Sequence, residues 1–168
     1  MEDLSLHVLD IVENSIRAGA KEVEIRIDED VAEDLVEIEI SDDGTGMDQA
    51  TIKKALDPFF TTKTVRKVGL GLSLFREAAR AAGGDMTVQS KPGKGTSVRA
   101  TFQHSHIDRQ PLGDLVKTLE ILIIANPEVR FRYYHRENGE EHRFDSKRFA
   151  TESKVHPVGY TQRARCRQ

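Results

Sequence analysis

Val36-Glu37-Ile38-Glu39-Ile40-Ser41-Asp42-Asp43-Gly44-Thr45-Gly46 decides the fold. Apolar and charged side chains alternate along its first five positions, the period of a strand buried on one face. The run then stops in two aspartates and two closely spaced glycines. Upstream, Val23, Ile25 and Ile27 alternate with Glu24 and Arg26. Segments 23–27 and 36–40 therefore predict two strands, paired as an antiparallel hairpin across an acidic turn at 28–34.

Around this hairpin the period changes to that of a helix. Leu6, Leu9, Ile11, Val12 and Ile16 fall on one face of a helix over 4–18, ending at Gly19. Residues 48–56 predict a short helix, stopped at Asp57 because a residue before proline avoids helical geometry. No clean period runs through 59–68, which reads as a loop. A third helix over 71–82 closes on Gly83-Gly84. Strands at 86–90 and 96–102 flank the turn Lys91-Pro92-Gly93-Lys94-Gly95. This order predicts an α/β two-layer sandwich, helices on one face of a mostly antiparallel mixed sheet, and excludes a βαβαβ Rossmann arrangement. Beyond residue 103 a helix from Leu112 to Asn126 and a hairpin of 129–134 with 142–144, turning at Asn138-Gly139, predict a small α+β extension. The expected organisation is a domain over 1–103, an extension over 104–150 and a flexible tail over 151–168.

Composition narrows the class. Of 168 residues 32% are charged and 38% apolar, and one cysteine, Cys166, allows neither an internal disulfide nor a cysteine zinc cluster. No apolar run reaches membrane-spanning length and the acidic N-terminus is unlike a secretory signal, so the expected location is cytoplasmic, without membrane contact. The net charge of −3 divides unevenly. Residues 1–103 carry 13 Lys+Arg against 19 Asp+Glu, whereas 104–168 carry 12 against 9. Nothing there suggests nucleic-acid binding. The basic part either meets an acidic partner, folds back on the acidic part, or is a solvated mixed-charge face.

Three segments carry candidate chemistry. Asp42-x-Gly44-x-Gly46 follows a strand, and its glycines let the chain turn sharply beside a ligand. Read alone it is equally an acidic turn. Gly69-Leu70-Gly71-Leu72-Ser73 opens a helix whose free amides suit phosphates, with Lys63 and Lys67 just before it. Asp10, Asn14 and Arg17, three and four residues apart, form a polar stripe on one helix. An asparagine carbonyl there suits magnesium, and a carboxylate one turn away suits a water or a proton. The plainer alternatives are a glycine-rich start to one helix and a local backbone cap from Asn14 on the other.

Together the segments resemble the Bergerat-fold ATP-binding domains shared by gyrase B, mismatch-repair ATPases and histidine kinases. Asp10–Ala20 resembles the N box, 42–47 the G1 box, Pro58-Phe59-Phe60-Thr61-Thr62-Lys63 the kinase-type F box, and 69–73 the G2 box. Gly93-Lys-Gly95-Thr96 resembles the closing glycine–threonine element. The resemblance implies that Asp42 receives the adenine amino group, with Thr96 in the same network. Gly44 and Gly46 would shape the pocket, and Met47 would line it. Asn14 would coordinate Mg2+, and Arg17 would contact phosphate. Lys63 and the amides around Gly69, Leu70, Gly71 and Leu72 would hold the phosphate tail beneath a short lid at 64–68, with Phe59 in the F-box wall. In three respects the chain departs from the pattern. Asp10 replaces the hydrolytic glutamate on a shorter stem, and Lys67 replaces the first G2 glycine while offering a further phosphate contact. No upstream phosphoacceptor hairpin precedes the N box, and His7 reads as a helix-surface histidine. The whole chain also resembles small stand-alone ATP-binding proteins encoded near iron-only hydrogenases. The implied activity is transfer of a phosphoryl group from ATP to a separate protein partner. The alternatives are a non-catalytic nucleotide sensor and a slow ATPase; a homodimer through the Leu112–Leu122 stripe and Phe131/Tyr133 is also expected.

Overall fold

A computed structural model describes residues 3–59 and 71–148. The chain runs α1 (Leu4–Arg17), β1 (Glu22–Asp30), β2 (Leu35–Asp42), α2 (Gln49–Leu56), α3 (Gly71–Ala81), β3 (Met86–Ser90), β4 (Thr96–Gln103), α4 (Leu115–Ala125), β5 (Arg130–Glu137) and β6 (Glu140–Asp145). The six strands form one mixed sheet in the order β3-β4-β2-β1-β5-β6, with the helices packed on one side. All neighbours are antiparallel except β1 and β5, which run parallel with Glu22 beside Arg130.

Alternation places the core. Val23, Ile25 and Ile27 of β1 and Val36, Ile38 and Ile40 of β2 are buried, while Glu24, Arg26, Glu37 and Glu39 face away from the helices. Against that inner face lie Val8, Ile11 and Val12 of α1 and Leu72, Phe75 and Ala79 of α3. The same core contains Leu115, Leu119, Leu122, Val129 and Phe131. The segment after residue 103 is thus sheet and helix of one body: β5 covers the edge that the β1–β2 hairpin leaves open.

The helix starts are capped as aspartates permit. Asp3, Asp48 and Asp114 each accept an N–H from the first turn, of Leu6, Thr51 and Lys117 respectively. Asp57 takes an extended conformation before Pro58 and ends α2. Several elements differ from the sequence expectation. β1 continues to Asp30, so the turn narrows to 31–34; Asp28, paired on both sides, and Asp30, paired with Leu35 of β2, follow the ladder despite their low strand propensity. α4 begins at Leu115, because Asp114 caps it and Leu112 precedes that cap. β5 runs on to Glu137, and β6 starts at Glu140. Their turn, Asn138-Gly139, has positive φ at both residues, as a two-residue hairpin requires. His7 is corrected as well: it is only 4% exposed, since α3 and the segment before α4 cover that face of α1.

Residues 104–148, which carry 8 Lys+Arg and 8 Asp+Glu, fold against the acidic part of the chain. On the open sheet face, β5 and its neighbours build a lattice of alternating charge. Arg130 and Arg132 both pair with Glu22, Arg132 also reaches Glu24 at 3.0 Å, and Arg136 pairs with Asp28. Arg130 donates to Asp145 at 2.6 Å, which raises its own pKa and lowers that of the Asp145 carboxyl. In the middle Tyr134 sits between Arg26 and Arg143, whose guanidinium carbons lie 5.0 and 5.2 Å from its ring centre.

Candidate nucleotide-binding site

Three loops and two helices meet at the end of β2. Asp42 is the last residue of that strand, directly opposite Thr96, the first of β4. Both its oxygens are held. Ser15 donates its hydroxyl to Oδ2 at 2.6 Å, and the Gly44 N–H donates to Oδ1 at 2.9 Å. Ser15 is 4% exposed and comes from α1, one residue after Asn14, so the N-box helix itself orients the aspartate. Each carboxylate oxygen has a second lone pair, which leaves Asp42 able to receive a further N–H.

The glycine loop is fastened from both sides. The Thr45 N–H donates to the Ala18 carbonyl at the end of α1, at 2.9 Å, and the Thr45 carbonyl accepts the Gly93 N–H at 2.7 Å. Ser90 Oγ receives the Met47 N–H at 2.7 Å, donates to the Gly95 carbonyl at 3.0 Å and lies 2.8 Å from Thr96 Oγ1. Space excludes side chains from two positions. A Cβ on Gly95 would lie 1.9 Å from the Asp42 carbonyl oxygen, and one on Gly46 would lie 2.0 Å from the Lys91 carbonyl oxygen; both residues have positive φ. Beside them Asp43 turns outward and accepts the Glu22 and Lys21 amides at 2.9 and 2.8 Å. Those bonds, the Glu22 one foremost, hold its carboxyl below the ordinary carboxylate value.

At the other end α3 starts against α1. A Cβ on Gly71 would stand 3.5 Å from both Asn14 Nδ2 and Asp10 Cβ, so the first residue of α3 lies on the polar stripe of α1. Asn14 Oδ1 accepts a hydrogen bond from Arg17 Nη1 at 2.8 Å, and Arg17 Nη2 also meets Glu13 at 3.3 Å. Among the described residues no group of three or more His, Cys, Asp or Glu can hold a metal. The chain offers Asn14 as one side-chain oxygen, which suits an ion that keeps water and phosphate ligands rather than a caged one.

Asp10, Asn14 and Gly71 are thus brought to one end of the site, and Asp42, Gly44, Gly46, Met47 and Thr96 to the other, with Ser15 between them. Leu72 is buried in the core, so only its backbone can face a ligand. Phe59 lies in the turn after α2 and is 91% exposed. Lys63, Lys67, Gly69 and Leu70 lie outside the described residues, as does the lid segment 64–68. Ser15, Ser90 and Asp43 are additions that sequence reasoning missed. A serine inside an apolar helix face carries no signal until the aspartate it serves is placed opposite.

With this geometry the class is defined. The chain belongs to the histidine kinase-, DNA gyrase B- and HSP90-like ATPase family, whose model matches residues 2–106. It is 42% identical over 89 residues to the sensor protein kinase FleS of Pseudomonas aeruginosa, a match covering 53% of this chain and 22% of that protein. It is 31% identical over 111 residues to the sensor histidine kinase WalK of Bacillus subtilis, covering 61% of this chain and 18% of that one. In fold it is similar to the N-terminal domain of a DNA repair protein, with a TM-score of 0.59 at 20% identity, covering 85% of this chain and 52% of the other. The chain spans about a fifth of the length of the sensor kinases it matches. Family membership supports ATP binding. Among the described residues no helix is long and apolar enough to cross a membrane.

Proposed function

We propose that this chain binds ATP with Mg2+ and passes the terminal phosphoryl group to a side chain of a separate protein partner. The observation that carries the reading is Asp42, set at the end of β2 by Ser15 and Gly44 and joined through α1 to Asn14 and Gly71. Asp42 receives the adenine amino group, and Gly44, Gly46, Met47 and Thr96 form the adenine end. Asn14 would give its amide oxygen to the ion once Arg17 Nη1, which it accepts from, turns from it to the phosphates. Lys63, Lys67 and the amides at Gly69, Leu70, Gly71 and Leu72 complete the phosphate end, with Phe59 contributing from the F box.

Phosphoryl transfer needs mainly positioning and neutralised charge. Bound magnesium neutralises phosphate charge. This chain's residues hold the base at one end and the phosphates at the other, so that the bond from the terminal phosphorus to the bridging oxygen breaks as one to the partner's side chain forms. Asp10 then has the role of a proton acceptor one helical turn from Asn14. Titration calorimetry with ATP and ADP, with and without Mg2+, tests the binding. Labelled ATP with candidate partners tests the transfer. Nucleotide bound without label in any protein defeats the kinase reading.

A second reading, a nucleotide sensor without turnover, is favoured by Asp10, whose carboxylate stands one methylene nearer the helix than the hydrolytic glutamate of the family. In that case Asp10→Ala leaves nucleotide affinity and function intact. The cytoplasmic location and self-association belong to the same proposal, and analytical ultracentrifugation with and without ATP checks the second.

A further inference from the structure

The face of α1 that carries Asp10 and Asn14 also carries His7, three and seven residues earlier and therefore on the same side of the helix. His7 is buried, and its ring packs on Phe75 of α3 with centroids 5.5 Å apart and planes 30° off parallel. Phe75 lies four residues after Gly71, one turn along α3. Two contacts therefore set α1 against α3: Asp10 and Asn14 on Gly71 at the site, and His7 on Phe75 behind it. Phe75 in turn meets Phe102 of β4, with centroids 5.8 Å apart, which anchors the second contact to the sheet.

The other side of His7 belongs to the segment between β4 and α4. Its Nε2 lies 3.1 Å from Gln110 Oε1, so Nε2–H donates to that amide oxygen. Next to it, the Leu4 N–H donates to the Pro111 carbonyl at 2.8 Å. Gly113 lies so close to Asp3 that a Cβ there would stand 2.3 Å from the carboxylate carbon. Arg109 donates from Nε to the His104 carbonyl at 2.7 Å, which turns the segment back toward α1. Residues 104–113 thus form a strap that grips the first turn of α1 and meets the His7 imidazole, which also touches α3.

We infer that His7 is a positioning residue: through Gln110 and Phe75 it sets how closely the Asn14 side of α1 approaches the start of α3, and the strap reaches the nucleotide site through it. A histidine suits this place because it combines a flat ring for Phe75 with a directed N–H for Gln110. Phenylalanine supplies only the first, and leucine neither. The inference rests on the ATP and Mg2+ reading of the site, and it adds a route by which whatever binds the part of the chain after residue 103 alters the phosphate end without touching it.

The test uses the full chain. Titration calorimetry measures ATP affinity with and without Mg2+ for the wild type, His7→Phe, Gln110→Leu and Gln110→Glu. The readout is the factor by which Mg2+ raises ATP affinity. In His7→Phe and Gln110→Leu that factor falls by roughly 5–10-fold, a coupling of ordinary size between sites, while Mg2+-free ATP affinity moves less than about twofold. Gln110→Glu keeps an acceptor oxygen and restores the wild-type factor. A residue that merely supports folding lowers both affinities together, so a parallel loss overturns the inference, as does an unchanged factor in both variants. If His7→Phe fails to fold, Gln110→Leu, which leaves the α1–α3 packing in place, decides alone. A wild type that binds no ATP, or binds it without regard to Mg2+, overturns the site reading and this inference with it.

Discussion

The two ends of one sheet solve opposite problems. At the β2–β4 end the working parts are backbone amides, absent side chains and one aspartate whose oxygens are each half used. At the β5–β6 end the open face consists of arginines and carboxylates that satisfy one another across three strands. The first arrangement leaves bonding capacity for a ligand. The second uses its capacity up, pairing the arginines of β5 with carboxylates of β1 and β6. The comparison shows two uses of polar groups on one sheet, one left open at the glycine loops and one closed on itself across β1, β5 and β6.

The comparison breaks first if the two ends do not share a core. Phe131→Ala is expected to cost about 3–5 kcal/mol of total stability in a single urea transition. Two separate transitions mean that the segment after 103 folds independently. Next comes Asp42→Asn, which places a donor where the base amine should be received. ATP affinity falls roughly 100-fold by calorimetry, about 3 kcal/mol, while the melting curve barely moves.

A pair of glycine substitutions sharpens the account of the site. Gly95→Ala is expected to cost about 3 kcal/mol, because its Cβ meets the Asp42 carbonyl as well as an unfavourable φ. Gly93→Ala has the same sign of φ and nothing within 4 Å, so it costs about 1 kcal/mol in urea unfolding. Equal losses would mean that strain alone decides, and that the loop is not held against β2.

Acid sensitivity comes from both ends. Asp43 is held low by the Glu22 and Lys21 amides, and Asp145 by Arg130. A folded pKa below the unfolded one gives stability that is complete above the unfolded value, about 4, and is lost as pH falls through the folded one. The urea midpoint is thus expected to be flat from about pH 7 to 5 and to drop below about pH 4. Asp43→Asn shrinks that drop. The smallest effect belongs to Arg136→Ala: its pair with Asp28 is solvent-exposed, so the loss is slight and fades further in salt. A large loss would make the lattice a core in its own right.

Much of this was readable from sequence because several signals agreed. The alternation at 23–27 and 36–40, the aspartate–glycine run and the Asn138-Gly139 turn each specify local geometry with little help from tertiary contacts. Family resemblance then ordered the site residues. The rest depended on partners far away in the chain. Asp28 looks like a turn residue until β5 pairs beside it. Ser15 is silent until Asp42 stands opposite, and His7 looks like a surface residue until a strap more than one hundred positions later closes over it. Where the basic segment faces was likewise undecided, because charge counts carry no register. The β1–β5 register, with Glu22 beside Arg130, fixes this for the arginines of β5.

That parallel pairing has a consequence for the order of events during synthesis. Contacts between β1 and β5 join residues 108 positions apart. At about 5–20 residues per second, the free edge of β1 waits roughly 5–20 seconds on the ribosome before its neighbour emerges. Throughout that interval an apolar strand presents unpaired amides and carbonyls, a template for any other extended chain nearby. A chain cut after residue 106 would never leave that state. Nascent molecules of this protein therefore depend on late arrival of their own β5, and a pause in translation before residue 130 is where misassembly between neighbours would begin.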